Sequence, residues 1–120
     1  MLARAQKLAD SERGLALVVA AYDEQAIAFG LLTYWPKIAE LSDLIVAPDF
    51  RGLGIGAALI GALCEQAHRA GHSRAQIGVA EANHRALALY LRLGFEYERR
   101  LILKLEDEEE AVWYLLKSLG

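Results

Sequence analysis

Apolar and polar positions change their period several times along this chain of 120 residues, and each change marks an element. Met1 to Arg13 is polar and alanine-rich and reads as a short helix. LALVVAAY, from Leu15 to Tyr22, is apolar and β-branched; DEQ then signals a turn, and AIAFGLLTYW is apolar again, the pattern of a hairpin. Pro36 and Lys37 break the run, and IAELSDLIVAP reads as a third strand that Pro48 ends, since proline cannot serve a central ladder.

From Ile55 to Ala70 the period lengthens. Ile55, Ala58, Leu59, Ala62, Leu63 and Ala67 form a helical stripe, and Gly71 follows as a helix-ending glycine. RAQIGVAE predicts a short strand. Asn83 is a good N-cap for the helical RALALYLRL, which Gly94 closes. FEYERRLILKLE is extended, EDEEE is a solvated turn, and AVWYLLKSL is a final strand. Three strands, helix, strand, helix and two strands give an α+β domain, a mostly antiparallel start leading into a βαβ unit. Residues 1–120 read as one domain, with no repeat and no linker.

A hydrophobic fraction of 55% excludes a disordered chain. The apolar runs Leu15–Tyr22 and Ala26–Trp35 are too short to cross a bilayer, and no basic-then-apolar leader opens the sequence, so a cytoplasmic protein is expected. The one cysteine, Cys64, excludes a disulfide framework and a Cys-rich metal site. A net charge of −3 disfavours a nucleic-acid partner. His68, His72 and His84 stand in no ligand spacing and are expected to be solvated, so no metal is expected.

Candidate chemistry concentrates in VAPDFRGLGIGAAL, Val46 to Leu59. A strand end, a glycine-rich turn and a helix start together make an anion site, because bare N–H groups and the positive end of the helix dipole point the same way. Gly52, Gly54 and Gly56 alternate, leaving one face of the loop without side chains. Gly52, Gly54 and Ala57 also satisfy the dinucleotide pattern G-x-G-x-x-G/A, but the window from Gly71 to Ile77 lacks the acid that would hold a ribose. No Gly-Lys-Ser/Thr follows, which removes the Walker reading.

A third pattern fits. Arg51-x-x-Gly54-x-Gly56, behind a strand ending Val-Ala-Pro, resembles the acetyl-CoA signature (Q/R-x-x-G-x-G/A) of the GNAT family of N-acetyltransferases. Asn83 and Tyr90 lie seven apart on the next helix, and Leu93-Gly94-Phe95 closes it, similar to the family's second cofactor block. The resemblance implies a GNAT-like mixed sheet with a β-α-β-α core that binds acetyl-CoA as cosubstrate. It implies transfer of an acetyl group to a primary amine of a small molecule or protein; the alternative is a non-catalytic acyl-CoA-binding domain of the same fold.

By the same resemblance, backbone groups of Leu44 and Val46 would pair with the pantetheine arm. Arg51, Gly52, Leu53, Gly54, Ile55 and Gly56 would form the pyrophosphate loop. Asn83 would bond the cofactor as well as cap its helix, two roles that compete for one side chain. Tyr90 matches the family's general acid. Glu40 is the first candidate for general base and Asp43 the second, with a water relay as the remaining route. Strand alternation puts Glu40 and Ser42 on one face and Asp43 on the other unless a bulge intervenes. Bases that other members carry are absent at Ser42 and Gly78. Family members commonly wall the acceptor site with N-terminal helices; only about fourteen residues precede Leu15 here, counted from the sequence. The acceptor site is therefore expected to be open or completed by another subunit, and a homodimer is expected.

Overall fold

The computed structural model describes the backbone of residues 4–10, 15–22 and 25–120, and side chains from residue 25 onward. Seven strands form one sheet: β1 (Arg4–Asp10), β2 (Leu15–Tyr22), β3 (Gln25–Tyr34), β4 (Ala39–Val46), β5 (Arg74–Ala80), β6 (Glu96–Leu105) and β7 (Glu108–Ser118). Two helices, α1 (Ile55–Arg69) and α2 (His84–Arg92), complete the described structure. The sheet order is β1-β2-β3-β4-β5-β7-β6, antiparallel throughout except for the β4–β5 pair. This is the expected α+β architecture with one strand more than the sequence suggested.

That extra strand corrects the reading of the N-terminal segment. Arg4–Asp10 is a strand, not a helix, and runs antiparallel to β2 from Arg4↔Ala21 to Asp10↔Ala16. Its residues tolerate a helix, but seven residues hold a helix poorly alone, whereas the free edge of β2 offers a full ladder. The strand ending at Val46 is thus the fourth in the chain. The expected turn at Asp23 and Glu24 lies outside the described residues. The acidic turn is also shorter than expected: Glu106 and Asp107 make it, and Glu108 to Glu110 already belong to β7.

Both crossovers, β4-α1-β5 and β5-α2-β6, join parallel strands and step the same way across the sheet. Right-handed connection therefore sets both helices on one face. Ala39, Leu41, Ala75, Ile77 and Leu115 point to that face and are buried with Leu59, Leu63 and Ala67 of α1 and Leu87 of α2. Across the sheet, Phe29, Ile45 and Leu101 are exposed, and among the described residues no helix covers them. No described helix is long and apolar enough to cross a membrane.

Gly30 lies under α1, with Leu59 and Leu63 packed over it. A Cβ there would sit 2.6 Å from Leu44 Cδ2 and 2.8 Å from Leu63 Cδ1. Gly30→Val is expected to destabilise the fold by about 1–3 kcal/mol through overpacking, read as a lower urea midpoint at unchanged slope.

Candidate functional site

β4 and β5 pair only through Ala39↔Ala75, Glu40↔Gln76 and Leu41↔Ile77, and then part. The cause lies on β4. Between Phe29↔Ile45 and Leu31↔Ser42, two steps of β3 oppose three of β4, so Asp43 and Leu44 share a bulge. Asp43 takes φ 53 to accommodate it, in the left-handed region that short polar side chains tolerate. The bulge twists β4 away and shifts its alternation, so that Leu44 faces α1 while Ile45 is exposed.

The parted strands frame a slot of about 390 Å³. Leu41, Leu44, Ile77, Val79 and Tyr90 line it from the helical face, and Glu40, Ser42, Gly78, Val112 and Tyr114 from the open face. It is therefore a passage through the sheet.

At the helical mouth the backbone is arranged for an anion. Pro48–Phe50 form a single 3₁₀ turn, Gly52 and Gly54 take φ 77 and 79, and the first helical bond of α1 runs from Ala58 N–H to Gly54 O at 3.1 Å. Among the described residues, the amides of Gly52, Leu53, Gly54, Ile55, Gly56 and Ala57 donate to no protein acceptor. Successive bare N–H groups at a helix start make a strong anion cradle. Ile55 anchors the loop by burying its side chain, while Leu53 points outward. Arg51 has a structural task besides its charge: its Nε donates to Val46 O at 3.2 Å, tying the loop to the strand end.

The Val46 amide is left free by alternation. Ala47 N–H bonds Ile27 O at 2.7 Å, so the preceding N–H points away from β3, toward the side from which β5 has parted. Leu44, within the bulge, contributes both backbone and a side-chain wall. Asn83 caps α2, its Oδ1 accepting from Ala86 N–H at 3.2 Å. The competition between its two roles dissolves, because the cap uses the oxygen and leaves the amide NH₂ for a ligand.

Tyr90 is half-buried, and its ring meets Phe95 at 6.1 Å between centroids. Burial pushes its phenol above the ordinary 10.0, so the hydroxyl keeps its proton across the neutral range. Among the described residues that hydroxyl makes no hydrogen bond, which leaves it free at the slot wall.

The two carboxylates differ in setting. Glu40 accepts from Trp35 Nε1 at 3.0 Å on one oxygen and from Gln76 Nε2 at 3.4 Å on the other. Gln76 is the one buried polar side chain among the described residues, so the carboxylate has a rigid support. Asp43 is exposed on the bulge. The absence of an acid at Gly78 also has a cause: a Cβ there would lie 3.1 Å from the Tyr114 ring.

Gln76 and Tyr114 are site residues that the sequence did not single out, whereas Trp35, an aromatic that the sequence offers for the acceptor side, joins the site through its bond to Glu40. Tyr114 reaches the slot only through the register Gly78↔Tyr114, a pairing of distant segments with no local signal. His72 is likewise no solvated surface residue. It stacks on Tyr34 with centroids 4.9 Å apart and bonds Trp35 O through Nε2 at 3.1 Å, steadying the turn that carries Trp35. Among the described residues no three His, Cys, Asp or Glu side chains gather as a metal site. Cys64 is buried and its thiol is pushed up by that burial, away from nucleophile behaviour.

Placing a Cβ at Gly54 meets no atom within 4 Å, so the cost there is conformational. Gly54→Val forces a β-branched residue to φ 79 and narrows the cradle. The expected result is binding of a phosphate-bearing ligand weakened at least about tenfold, measured by titration calorimetry, the loss of more than one charge-assisted bond.

A strand ending in a bare-amide helix start, beside a parallel neighbour that has splayed away, sets an anion cradle next to an open slot. The model of the acetyltransferase (GNAT) family matches residues 2–95, and the chain belongs to that family. A stretch of 60 residues is 43% identical to an uncharacterized N-acetyltransferase from Methanocaldococcus jannaschii, covering 50% of this chain and 26% of that relative. The fold is similar to that of the IAA acetyltransferase from Bacillus cereus, with TM-score 0.82, 21% identity, and 98% and 99% of the two chains covered. It is also similar to a GNAT family acetyltransferase from Elizabethkingia anophelis with acetyl-CoA bound, with TM-score 0.77, 20% identity, and 88% and 76% covered.

Proposed function

We propose that the chain transfers an acetyl group from acetyl-CoA to a primary amine of a small molecule or of a protein. The observation that carries this reading is the passage through the sheet, with a bare-amide cradle at one mouth and a supported carboxylate at the other. The cradle from Gly52 to Gly56, with Arg51 beside it, holds the pyrophosphate, and Asn83 donates to the cofactor from the facing helix. The arm runs into the slot along Leu44 and Val46, as an added strand would.

The amine enters from the open face as an ammonium and must lose a proton before attack. Glu40 takes that proton directly or through a water. The amine nitrogen then bonds the thioester carbon, and the Val46 N–H stabilises the resulting oxyanion. Collapse breaks the C–S bond; Tyr90 gives its proton to the departing CoA thiolate, and the second proton lost by the acylated nitrogen restores the phenol directly or through water. The raised phenol keeps its proton across the neutral range and is therefore available as a donor when the C–S bond breaks.

Release of free thiol from acetyl-CoA over a panel of amines tests the reading; the absence of thiol release with every amine, together with tight CoA binding, would favour an acyl-CoA-binding domain. The base is tested separately. Glu40→Gln is expected to lower kcat/KM on the order of 10²–10⁴-fold. Asp43→Asn is expected to leave kcat/KM nearly unchanged. The reverse pattern would transfer the role to Asp43.

A further inference from the structure

One of the two bonds that hold Glu40 comes from an exposed turn. Gln76, which bonds one carboxylate oxygen, is buried in β5; Trp35, which bonds the other, is 52% exposed, and Pro36 and Lys37 beyond it are exposed as well. The turn is closed by Trp35 N–H donating to Ile38 O at 2.9 Å. Among the described residues Trp35 O has a single donor, His72 Nε2.

His72 stands on rigid backbone. Gly71, at φ 95, ends α1 so that His72 N–H reaches Ala67 O at 3.1 Å, and Ala67 is fully buried. The imidazole lies nearly flat on the Tyr34 ring, their planes 16° apart. A carbonyl only accepts, so Nε2 carries the proton and Nδ1 keeps its lone pair. That Nδ1 is buried without a partner. An orphaned acceptor costs stability, and a phenyl ring would stack on Tyr34 without one. What the imidazole adds over a phenyl is its Nε2–H grip on Trp35 O.

We propose that His72 is a positioning residue for the transfer: through the Trp35 carbonyl it fixes the indole, and through the indole it fixes the Glu40 carboxylate at the open mouth of the slot. The inference rests on the reading of Glu40 as general base. The Gln76 bond, at 3.4 Å, is the longer of the two on that carboxylate, and the Trp35 bond, at 3.0 Å, is the firmer. With the turn loosened, the carboxylate is held by one oxygen and swings about it. The amine then meets its base out of line, which slows the chemical step. The cradle for the cofactor, at the helical mouth, is untouched.

Nuclear magnetic resonance of the nitrogen-labelled full chain reads the indoles directly. The chain has two tryptophans, Trp35 and Trp113, and Trp35→Phe assigns their two indole N–H signals. His72→Phe is expected to move the Trp35 signal in the direction that Glu40→Gln moves it. The signal of Trp113, whose indole donates to Glu81, is expected to stay in place. His72→Phe is also expected to lower kcat/KM for the amine about ten- to a hundredfold, with the KM for acetyl-CoA unchanged. His72→Gln, which offers an N–H at similar reach, is expected to restore most of that loss. In a Glu40→Gln background His72→Phe should add little, because the carboxylate it places is gone. Circular dichroism checks the fold, and His72→Asn, whose amide falls short of Trp35 O, replaces His72→Phe if the latter is unfolded. An unmoved Trp35 signal overturns the proposal whatever the rates. So does a moved signal with full amine turnover where Glu40→Gln is impaired. If Glu40→Gln itself turns over normally, the base assignment fails instead, and the indole signal alone decides whether His72 places the carboxylate.

Discussion

Replacing Tyr90 by Phe is expected to lower kcat on the order of 10²–10⁴-fold while leaving the KM for acetyl-CoA nearly unchanged. The ring itself is retained, so its contact with Phe95 and its share of the slot wall survive, and only the proton donor is lost. A second reading of the same variant follows from burial. The folded-state pKa of Tyr90 is raised, so the folded protein holds a proton that the unfolded chain releases first. The stability carried by the neutral phenol is complete below its ordinary value of 10.0 and is lost as pH rises from there through the folded value. Tyr90→Phe removes that loss, and its unfolding free energy is expected to decline less steeply at alkaline pH. An alanine at this position, by contrast, confounds chemistry with packing.

Phe95→Ala is expected to carry the largest cost in stability, about 3–5 kcal/mol, measured by chemical denaturation. Phe95 is 1% exposed and among the largest fully buried side chains. It also completes the helix that carries Tyr90. Gly94, at φ 98, lets the chain turn so that Gly94 N–H reaches Leu91 O and Phe95 N–H reaches Tyr90 O at 3.0 Å. This is the Schellman arrangement, in which the residue after the glycine packs on the residue whose carbonyl it binds. Lys117 adds a third constraint, donating from Nζ to Leu93 O at 2.7 Å, with its ammonium 5.9 Å from the Phe95 ring. The Leu-Gly-Phe close of α2 therefore fixes where the Tyr90 hydroxyl stands. Loss of the Phe95 ring is expected to reduce kcat in the fraction that remains folded.

Much of the site was legible because its parts are local. The glycine loop, the Asn83 cap and the Leu93-Gly94-Phe95 stop are each written in a few consecutive residues, and local backbone chemistry decides their shape. Strands β2 to β7 were visible for the same reason, as apolar runs between turn residues. What escaped depends on distant partners. Arg4–Asp10 has no strong strand signal and becomes one only against β2. The supports of Glu40 come from a turn and from a strand 36 residues away, and Tyr114 enters the slot because Gly78 yields space to it. The bulge at Asp43, where φ is 53, was foreseeable only as a possibility, since no glycine marks it.

The slot between β4 and β5 is lined from both sides of the sheet, and this constrains the order of events in the proposed transfer. The thioester approaches from one side of the sheet and the amine from the other, so neither blocks the other's exit. No exposed thiol stands in the passage to carry a covalent intermediate. Both substrates can then be bound together, and initial-rate plots are expected to intersect rather than run parallel. Each product can retreat by the side from which its precursor came, and a conjugate joining CoA to an amine should thread the opening and inhibit competitively against both substrates.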